Sequence, residues 1–489
     1  MDKIINVSQY GAKGDGVTDD GPSISKAVND ALSGGCALCF EAGKTYRIES
    51  TENSLFPFTS PFSIGKCRGL TIDGHGARLI YNPRINYFVI CDSEDITIRN
   101  FVFDYTVTPY LCGVVTEIDG QTVRFSTDVE PYADECDYSG MVAFSIKYNP
   151  GKQRRPHRFI SFMKKTGEKQ VDVTYINSLG VSCGDLVFLP NPGVGHCFGE
   201  TVYMGGNRGT LRFENIEINA ASTFIAAIKG NDAEMFFDRV DFIPPAGVDR
   251  TLKMVAWRDG FHCKDNRRPM HWDNCRCGVL FDDVFNLSGT LGVVNGKGPD
   301  GSLDMLNYEY LRMGRHIPFS ANPGDVLDFY DIRDGKFYGT SEIENVIYNE
   351  NGTTSVRLSD RTLSDAVPDG CVAGNRSSCA PGSTVKNCSF EGTFRFLRDV
   401  SIENTDFNLL EIWMMVEGSV EGPLPGNIGF SGCTFRGGNI EIDAFNRETN
   451  TYMPEIAGHI KNIRAVDCRF EEDWKFVCNT KKCELGTNR

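Results

Sequence analysis

Short apolar strands separated by Asn, Asp or Gly recur along the chain, and this recurrence constrains the fold more than any other feature. Eight such units are GLTIDGHGARLIY (69–81), DITIRNFVFDY (95–105), TLRFENIEINAA (210–221), AEMFFDRVDFI (233–243), STVKNCSFEGT (383–393), DVSIENTDFN (399–408), IGFSGCTFRGGNIEIDAF (428–445) and IKNIRAVDCRF (460–470). Asn and Asp tolerate the left-handed backbone of a tight arc between strands. Coil lengths of roughly 20–30 residues fall in the range of solenoid repeats. The pattern predicts an all-β parallel β-helix, and an ordinary β-sandwich is the alternative.

The first forty residues predict a helix that closes one end of this solenoid. The segment YGAKGDGVTDD (10–20) is followed by Pro22 and by an apolar helical face formed by Ile24, Ala27, Val28 and Ala31. Asp20 or Ser23 is expected to cap this helix. The first coil of a β-helix would otherwise expose unpaired backbone. The segment resembles the N-terminal cap of the pectate-lyase-like superfamily, which implies a right-handed β-helix with an N-terminal capping helix.

Two stretches interrupt the repeat and read as antiparallel hairpins. Their expected turns are Asp119-Gly120 and Asn351-Gly352, which are typical hairpin dipeptides. We predict two small β-barrel-like inserts. The predicted division is a cap with the first coils (1–105), the first insert (106–197), central coils with the active site (198–295), the second insert (296–382) and C-terminal coils (383–489).

Composition and charge narrow the class of partner. The 489 residues carry a formal net charge of −15, which disfavours nucleic acid and fits a neutral glycan better than a polyanion. No apolar run is long enough to span a membrane, and no signal peptide is visible. We expect a periplasmic or secreted protein whose signal has been removed, with a cytoplasmic location as the alternative. The sequence leaves the oligomeric state open, including a homodimer.

The 18 cysteines have two interpretations. Cys36 and Cys39 are spaced like zinc ligands but have no second pair nearby, so we expect small buried apolar side chains. In an oxidising compartment, disulfides are an alternative for cysteines in loop-like segments. These are Cys371 with Cys379, and Cys478 with Cys483.

The segment 255–289 is the predicted site of chemistry. Asp259 and Asp282 are 23 residues apart, about one coil, and residues one coil apart lie about 4.8 Å apart on neighbouring strands. Asp259 is therefore expected beside Asp282 and Asp283. Crowded carboxylates raise one another's pKa, so that one can supply a proton while another activates water. The alternative is that these aspartates only cap turns.

Aromatic, cationic and polar side chains near these aspartates are candidates for binding a sugar. For each tryptophan, core packing is the alternative. We expect no metal ion, because neither His262 nor His271 has a second ligand at a suitable spacing. We also expect no cofactor. The candidates are Trp257, Arg258, His262, Lys264, Arg267, His271, Trp272, Asn286, Trp413 and Glu417.

The cap, the two inserts and the RDGFH coil followed by FDDVFN resemble glycoside hydrolase family 110, over residues 5 to about 470. The resemblance implies an exo-acting, inverting α-galactosidase that removes terminal α-1,3-linked galactose. It also implies that Asp282 is the proton donor and that Asp259 and Asp283 are candidates for the base. Glu411 and Glu417 are candidates for a further carboxylate of the family.

Other functions stay open. Polygalacturonases also use three Asp on a β-helix, but the only GHG tripeptide, Gly74-His75-Gly76, lies far from the Asp pair and RIK is absent. A polysaccharide lyase would draw on Lys264, Arg267 and Arg268. A non-catalytic glycan-binding β-helix would use its aspartates only in turns and its aromatic residues along an open groove.

Overall fold

The computed structural model divides the chain into two compact units. The first comprises Met1–Ala227, Phe236–His262 and Asn274–Val284, and the second comprises Ile228–Met235, Cys263–Asp273 and Phe285–Arg489. The described residues are 3–33, 35–139, 143–147, 157–177, 180–194, 200–245, 254–256, 258–280, 282–390, 393–396, 398–407, 410–417, 419–436, 439–446, 451–471 and 475–478.

The first unit is built on parallel strands that stack coil upon coil. One buried line runs through Leu38, Ile72, Ile98 and Phe213, each paired with the next in parallel register. The strands of this sheet are Lys3–Asn6, Asp15–Asp19, Cys36–Cys39, Thr45–Ile48, Arg68–Tyr81, Glu94–Tyr105, Arg208–Ile218, the 236–242 part of Asp232–Phe242, and Arg276–Cys277.

Further strands of the first unit form other faces of the coils. A second parallel line joins Ile64, Ile90 and Met204. These strands are Ser54–Leu55, Phe58–Thr59, Phe62–Gly65, Phe88–Cys91, Glu200–Gly205, Met254–Ala256 and Val279–Leu280, with the first-unit parts of Phe224–Lys229 and Phe261–Lys264.

Stacked phenylalanines fill the interior between these faces. The ring of Phe213 lies 5.7 Å from that of Phe88 and 5.2 Å from that of Phe237, with nearly parallel planes. These spacings are close to the distance of about 4.8 Å between paired strands. Equivalent positions on successive coils therefore stack their rings, which explains the use of many phenylalanines.

Asn and Asp residues form the arcs, as predicted. Asn100 and Asn215 adopt left-handed backbone, with φ of 62° and 52°. The Asn215 amide donates to the Asn100 side-chain oxygen at 3.0 Å, and the Asn100 amide donates to Asp73 at 2.8 Å. The turn residues are thus hydrogen-bonded from coil to coil.

The N-terminal helix spans Gly21–Ala31, after a 3₁₀ turn at Val7–Tyr10. Its predicted apolar face is confirmed, because Ile24, Ala27, Val28 and Ala31 are fully buried. Asp20 does not cap the helix with its side chain. It accepts hydrogen bonds from the backbone N–H groups of Lys13 (2.7 Å) and Gly14 (3.0 Å), so this part of the motif holds a turn.

In its described residues, the first predicted insert has seven antiparallel strands. Six of them pair in a closed cycle around a buried cluster that includes Val123, Phe125 and Ile160. The seven are Tyr110–Asp119, Thr122–Thr127, Glu135–Asp137, Ala143–Lys147, His157–Gly167, Gln170–Tyr175 and Leu186–Pro190.

The second unit repeats the parallel arrangement. A buried line runs from Trp272 through Val385, Ile402 and Phe430 to Ala465. Its strands are Met270–Asp273, Ser383–Lys386, Ser389–Phe390, Thr393–Phe396, Arg398–Glu403, Asp406–Phe407, Leu410–Glu417, Ser419–Gly422, Gly426–Ser431, Thr434–Phe435, Asn439–Asn446, Thr451–Tyr452, Lys461–Val466, Arg469–Phe470 and Lys475–Cys478.

A second antiparallel cycle lies within this unit, around a cluster that includes Leu327, Phe329 and Val356. It joins the C-terminal part of Asp283–Lys297 to Leu303–Asn307, Val326–Asp331, Lys336–Tyr348, Thr354–Leu358 and Val372–Asn375. Short helices are Tyr308–Arg312, Arg361–Ala366 and Pro454–Ala457, and a 3₁₀ turn is Arg376–Ser378.

The predicted all-β class with parallel pairing is confirmed, and this pairing argues against an antiparallel β-sandwich. The handedness, the capping role of the helix, the barrel-like inserts and the five-part division stay predictions. Among the described residues, no helix is long and apolar enough to cross a bilayer.

The predicted alternative of a disulfide between Cys371 and Cys379 is wrong. Both are buried free thiols, and burial raises the pKa of each to about 12. Cys36 is buried as expected, whereas Cys39 is partly exposed. The other alternative pair cannot be compared, because the Cys478 side chain and Cys483 lie outside the described residues.

Replacing Phe435 by alanine should remove part of the ring stack in the second unit. Phe435 is fully buried between Phe407 (5.4 Å) and Phe470 (4.9 Å). We expect Phe435→Ala to lower the free energy of unfolding by about 3–5 kcal/mol. Urea denaturation measures this change. The control is Phe56→Ala, because Phe56 is 98% exposed; equal losses in both variants would contradict the proposed core role.

Candidate active site

Two successive passes of the chain bring the predicted catalytic aspartates together. Met254 pairs with Val279 in parallel, and the Gly260 N–H donates to the Asp283 carbonyl at 2.9 Å. Asp259 directly precedes Gly260 in the sequence. Asp259 and the Asp282-Asp283 pair therefore lie on neighbouring, hydrogen-bonded segments of the first unit, as their spacing of about one coil predicts.

Gly260 is required where these passes meet. A Cβ at this position would lie 2.7 Å from the Val284 carbonyl oxygen, which is closer than a side chain permits. On the opposite edge, the Ile225 and Ala226 N–H groups donate to the Asp259 and Gly260 carbonyls, each at 2.9 Å. The Asp-Gly dipeptide is thus held by backbone on both sides.

The three carboxylates form a compact trio. One oxygen from each of Asp259, Asp282 and Asp283 lies within 4.8 Å of the others. Asp259 and Asp283 are only 2% and 3% exposed, whereas 38% of the Asp282 side chain is exposed. Asp282 is therefore the member most accessible to a ligand.

His262 holds Asp259. Its Nδ1 lies 2.6 Å from Oδ2 of Asp259, and a carboxylate accepts there from an Nδ1–H. The imidazole also packs against Phe224, with ring centroids 4.5 Å apart. These contacts limit rotation of both the imidazole and the Asp259 carboxylate.

Arg258 holds Asp282 in a similar way. Its Nε donates to Oδ2 of Asp282 at 3.2 Å, and the guanidinium carbon lies 4.7 Å from the centre of the Phe224 ring. Phe224, which the sequence analysis missed, therefore supports both basic side chains next to the trio. Nothing in the alternation of FIAAIK distinguishes its ring from a core phenylalanine.

Three carboxylates can also be ligands of a hard cation. In this site, one oxygen of Asp259 and one of Asp282 already accept hydrogen bonds from His262 and Arg258. We therefore interpret the trio as an acid–base set, and the absence of a metal stays a prediction.

The second unit contains a buried ionic network that includes two of the predicted sugar-binding residues. Oε1 of Glu421 lies 3.2 Å from Nζ of Lys264 and accepts from the Asn286 amide at 2.9 Å. Oε2 accepts from Arg395 at 2.6 Å, and Ser288 donates to the Asn286 oxygen at 2.8 Å. Lys264 and Asn286 are less than 10% exposed, so these contacts stabilise the fold, and their predicted role in sugar binding stays a prediction.

The charges in this network stabilise one another. Burial alone would raise the pKa of Glu421, but Lys264 and Arg395 hold it well below its usual range. Burial opposes the charged form of Lys264, yet attraction to Glu421 raises the pKa of Lys264. Glu421 begins the segment EGPLPGN (421–427), whose Gly and Pro residues are typical of a surface loop. In the structure its backbone pairs with that of Thr290, which places the Glu421 side chain in the buried network.

Other predicted binding residues have protein partners within the second unit. Arg267 donates to Asp325 at 2.6 Å. The two ring nitrogens of His271 lie 2.9 Å from Thr384 Oγ1 and 3.1 Å from Glu234 Oε1. Both side chains stay partly exposed, so their predicted role in sugar binding stays a prediction.

Trp272 belongs to the core, which was the stated alternative. Its side chain is fully buried and meets the edge of Phe285 with ring centroids 4.8 Å apart. Burial prevents it from offering a face to a sugar. Trp257 lies outside the described residues, as do the side chains of Trp413 and Glu417 and of the other candidate, Glu411.

Replacing Glu421 by glutamine should destabilise the protein strongly. The change leaves two buried cations without their shared carboxylate, and we expect a loss of about 3–5 kcal/mol in the free energy of unfolding. A suitable control is Glu403→Gln, which affects a half-exposed pair with Lys386 and should cost less than about 1 kcal/mol. Urea denaturation of both variants tests this, and equal losses would contradict it.

The loss caused by Glu421→Gln should vary little with pH between about 5.5 and 9. Because the pKa of Glu421 is lowered, its contribution to the free energy of unfolding is complete above about pH 4.3, the pKa of an unperturbed glutamate. This contribution is lost as the pH falls through the pKa of Glu421 in the folded protein. Because the pKa of Lys264 is raised, its contribution is complete below about pH 10.4 and is lost as pH rises further. A loss that changed steeply within that window would contradict the assigned charges.

Comparison with known proteins agrees with the sequence resemblance. Residues 4–60 match the family model described as rhamnogalacturonase A/epimerase, pectate lyase-like. The chain is 23% identical over 419 residues to alpha-1,3-galactosidase B of Bacteroides thetaiotaomicron, covering 79% of this chain and 66% of the relative.

The alpha-1,3-galactosidase B of Phocaeicola vulgatus is 28% identical over 181 residues, covering 34% of this chain and 29% of the relative. The chain thus spans about two thirds of one curated relative and less than a third of the other. Among solved structures, ORF18 of Geobacillus virus E2 has a TM-score of 0.38 at 10% identity, covering 97% of this chain and 59% of that chain. Residues 4–60 are thus similar to pectate-lyase-like proteins, and most of the chain is similar to a curated alpha-1,3-galactosidase, in agreement with the resemblance to glycoside hydrolase family 110.

Proposed function

We propose that this chain is a glycoside hydrolase that removes terminal α-1,3-linked galactose from glycans by exo-action with inversion at C1. The observation that carries the proposal is the trio of carboxylates, with oxygens within 4.8 Å of one another on two paired passes of the chain. The names of the two curated relatives support the choice of glycoside.

Asp282 is the proton donor in this proposal. Its side chain is the most exposed of the trio, so it can reach the glycosidic oxygen of a bound substrate. Arg258 donates to Oδ2 of Asp282, which orients the carboxyl group. The resemblance to the family supports the same role.

Asp259 and Asp283 are the candidates for the base. The His262 contact supports Asp259, because a donor at Oδ2 orients the carboxylate and stabilises its charge. Asp283 is equally buried and is the nearest alternative. The two are distinguished by chemical rescue, as described below.

The reaction proceeds in one displacement. Asp282 transfers its proton to the leaving oxygen as the bond between that oxygen and C1 breaks. Water attacks C1 from the opposite face, and the base takes the proton of that water. The galactose product then has the β configuration, and the enzyme regains its starting charges after proton exchange with solvent.

Inversion rests on the family resemblance. Inverting pairs usually lie about 6.5–9.5 Å apart and retaining pairs about 5–5.5 Å apart. The closest oxygens of this trio are nearer than the inverting range, although the distance between whole carboxyl groups exceeds that between their closest atoms. The stereochemical outcome therefore needs a direct measurement.

The cellular location belongs to the same proposal. We propose a periplasmic or secreted enzyme, since its substrates would be glycans outside the cytoplasm.

The main alternative function is a non-catalytic glycan-binding β-helix. In that case, replacement of the trio would leave glycan binding intact, and no hydrolysis would be found in the unmodified protein.

Replacing each aspartate of the trio should separate the acid from the base. We expect Asp282→Asn, Asp259→Asn and Asp283→Asn each to lower kcat/KM on an α-1,3-linked galactobiose, by about 10²–10⁴-fold for the residues that transfer protons. Asp282→Asn should keep far more activity on an aryl α-galactoside with a good leaving group, since this bond needs less help from an acid.

Azide should rescue only the variant that lacks the base and should yield β-galactosyl azide, because the small anion replaces the activated water. The control is Asp273→Asn, which alters a partly exposed carboxylate bonded to Asn387, and it should keep full activity. If Asp282→Asn hydrolyses the disaccharide as fast as the unmodified protein, the assignment of the trio is wrong.

The first galactose released should be the β-anomer. Proton NMR of the anomeric signals during the first minutes of hydrolysis measures this before mutarotation mixes the two forms. Release of α-galactose would contradict inversion and would favour a covalent intermediate on one of the trio, which the compact geometry also permits.

A further inference from the structure

A second polar cavity lies in the first unit, where three parallel strands end. Its volume is about 470 Å³, within the usual range for small-ligand sites. The strands are Thr45–Ile48, Arg68–Tyr81 and Glu94–Tyr105, and Tyr132 contributes one wall. Neither the trio nor any other predicted site residue lines this cavity.

The polar groups of the cavity are held by one another. Glu49 forms an ion pair with Arg47 at 2.6 Å and accepts from the Asn82 amide at 3.2 Å. Asp104 forms an ion pair with Arg78 at 2.6 Å. Each carboxylate thus has a cationic partner. The lining itself contains one cation, Arg47, and two carboxylates, Glu49 and Asp104, so it presents oriented hydrogen-bonding groups with a net negative charge.

Tyr132 supplies an exposed aromatic face. The residue is 44% exposed, and its backbone N–H donates to the Asn191 side chain at 2.8 Å. The guanidinium carbon of Arg84 lies 5.9 Å from the centre of the Tyr132 ring, and Arg84 is itself bonded to the Gly193 carbonyl at 3.0 Å. The ring is therefore positioned before any ligand arrives.

The register of the strands sets the length of the polar lining. Arg47, Ile80 and Asp104 pair in parallel across three coils. Two residues further along the chain, just past the ends of these strands, lie Glu49, Asn82 and Thr106. Three positions at about 4.8 Å intervals span about 10 Å. A disaccharide has a similar length.

The cavity is separate from the trio along the stack of coils. Asp104 lies in the coil next to the one containing Glu217, since Val102 pairs with Glu217. Two further strand pairings follow. The strand of Glu217 pairs with the strand that ends at Phe242, and Phe242 pairs with Cys277, which lies five residues before Asp282 in the chain. Asp259 lies on the earlier pass, whose backbone pairs with Ile225, and is two steps from Asp104, whereas Asp282 is three steps away. Two steps of about 4.8 Å place the two sites at least about 10 Å apart along the stack.

We propose that this cavity is a second, non-catalytic site that binds about two hexose units of a neutral oligosaccharide, with one sugar face against the Tyr132 ring. Aromatic rings suit the C–H faces of sugars, and carboxylate, amide and guanidinium groups suit their hydroxyls. The two carboxylates of the lining favour a neutral sugar over a uronic acid. The proposal concerns binding alone and does not depend on hydrolysis at the trio.

The test uses thio-linked α-1,3-galactobiose, which resists hydrolysis, with the full chain and isothermal titration calorimetry. We expect two binding sites per chain in the unmodified protein. Tyr132→Ala should weaken one of them by at least about tenfold, as expected for loss of a stacking contact of about 1.4 kcal/mol. Tyr132→Phe keeps the ring and should retain both sites.

Asn82→Ala is a second probe of the same cavity and should weaken the same site. Hydrolysis of an aryl α-galactoside should stay unchanged in Tyr132→Ala, which also shows that this variant is folded. Titration with digalacturonic acid should show no binding that depends on Tyr132.

A single binding site that is unaffected by Tyr132→Ala and Asn82→Ala would overturn the proposal, and binding of digalacturonic acid with equal affinity would overturn the neutral class of ligand. The count of two sites relies on binding of the probe at the trio under the proposed function. A single site that Tyr132→Ala and Asn82→Ala weaken would therefore support this cavity and count against the catalytic proposal alone.

Discussion

Parallel pairing places a residue of one coil about 4.8 Å from its counterpart in the next, and most of the structure depends on this distance. It lets Phe213 stack between Phe88 and Phe237, and it lets Asn215 donate to Asn100 from one arc to the next. The same distance would bring like charges together if charged residues lay at equivalent positions. In most coils such repulsion would be a cost, whereas at the trio it is the basis of the proposed chemistry.

Buried charge is handled differently in the two units. In the second unit, Glu421 has Lys264 and Arg395 as partners, and each of its oxygens accepts a hydrogen bond or forms an ion pair. Such a network repays the desolvation of its charges and stays ionised over a wide pH range. In the first unit, Asp259 and Asp282 have His262 and Arg258 as partners, while 38% of the Asp282 side chain stays exposed. A carboxylate that must exchange protons needs this access to solvent or substrate.

The two antiparallel cycles show how the coils can carry additional surfaces. Each cycle has its own buried cluster, for example around Phe125 in one and Phe329 in the other. Since each packs around its own core, its sequence can change without altering the line of coil residues. The cavity beside Tyr132 illustrates the consequence, because residues at the ends of three coils and one residue from the first cycle line the same space.

Sequence alone determined the features that depend on local pattern. The alternation of apolar residues, the Asn and Asp arcs and the 23-residue interval between Asp259 and Asp282 are periodic, so the coil spacing predicted which residues would become neighbours. The tertiary structure decided the contacts that have no period. Asn286 meets Glu421 across 135 residues of sequence, and Trp272 turned out to be a core residue rather than a surface for sugar. A periodic signal fixes distance only between adjacent coils. A contact between strands that are far apart in the sequence is decided by the packing of the whole unit, and therefore leaves no trace in the spacing of residues.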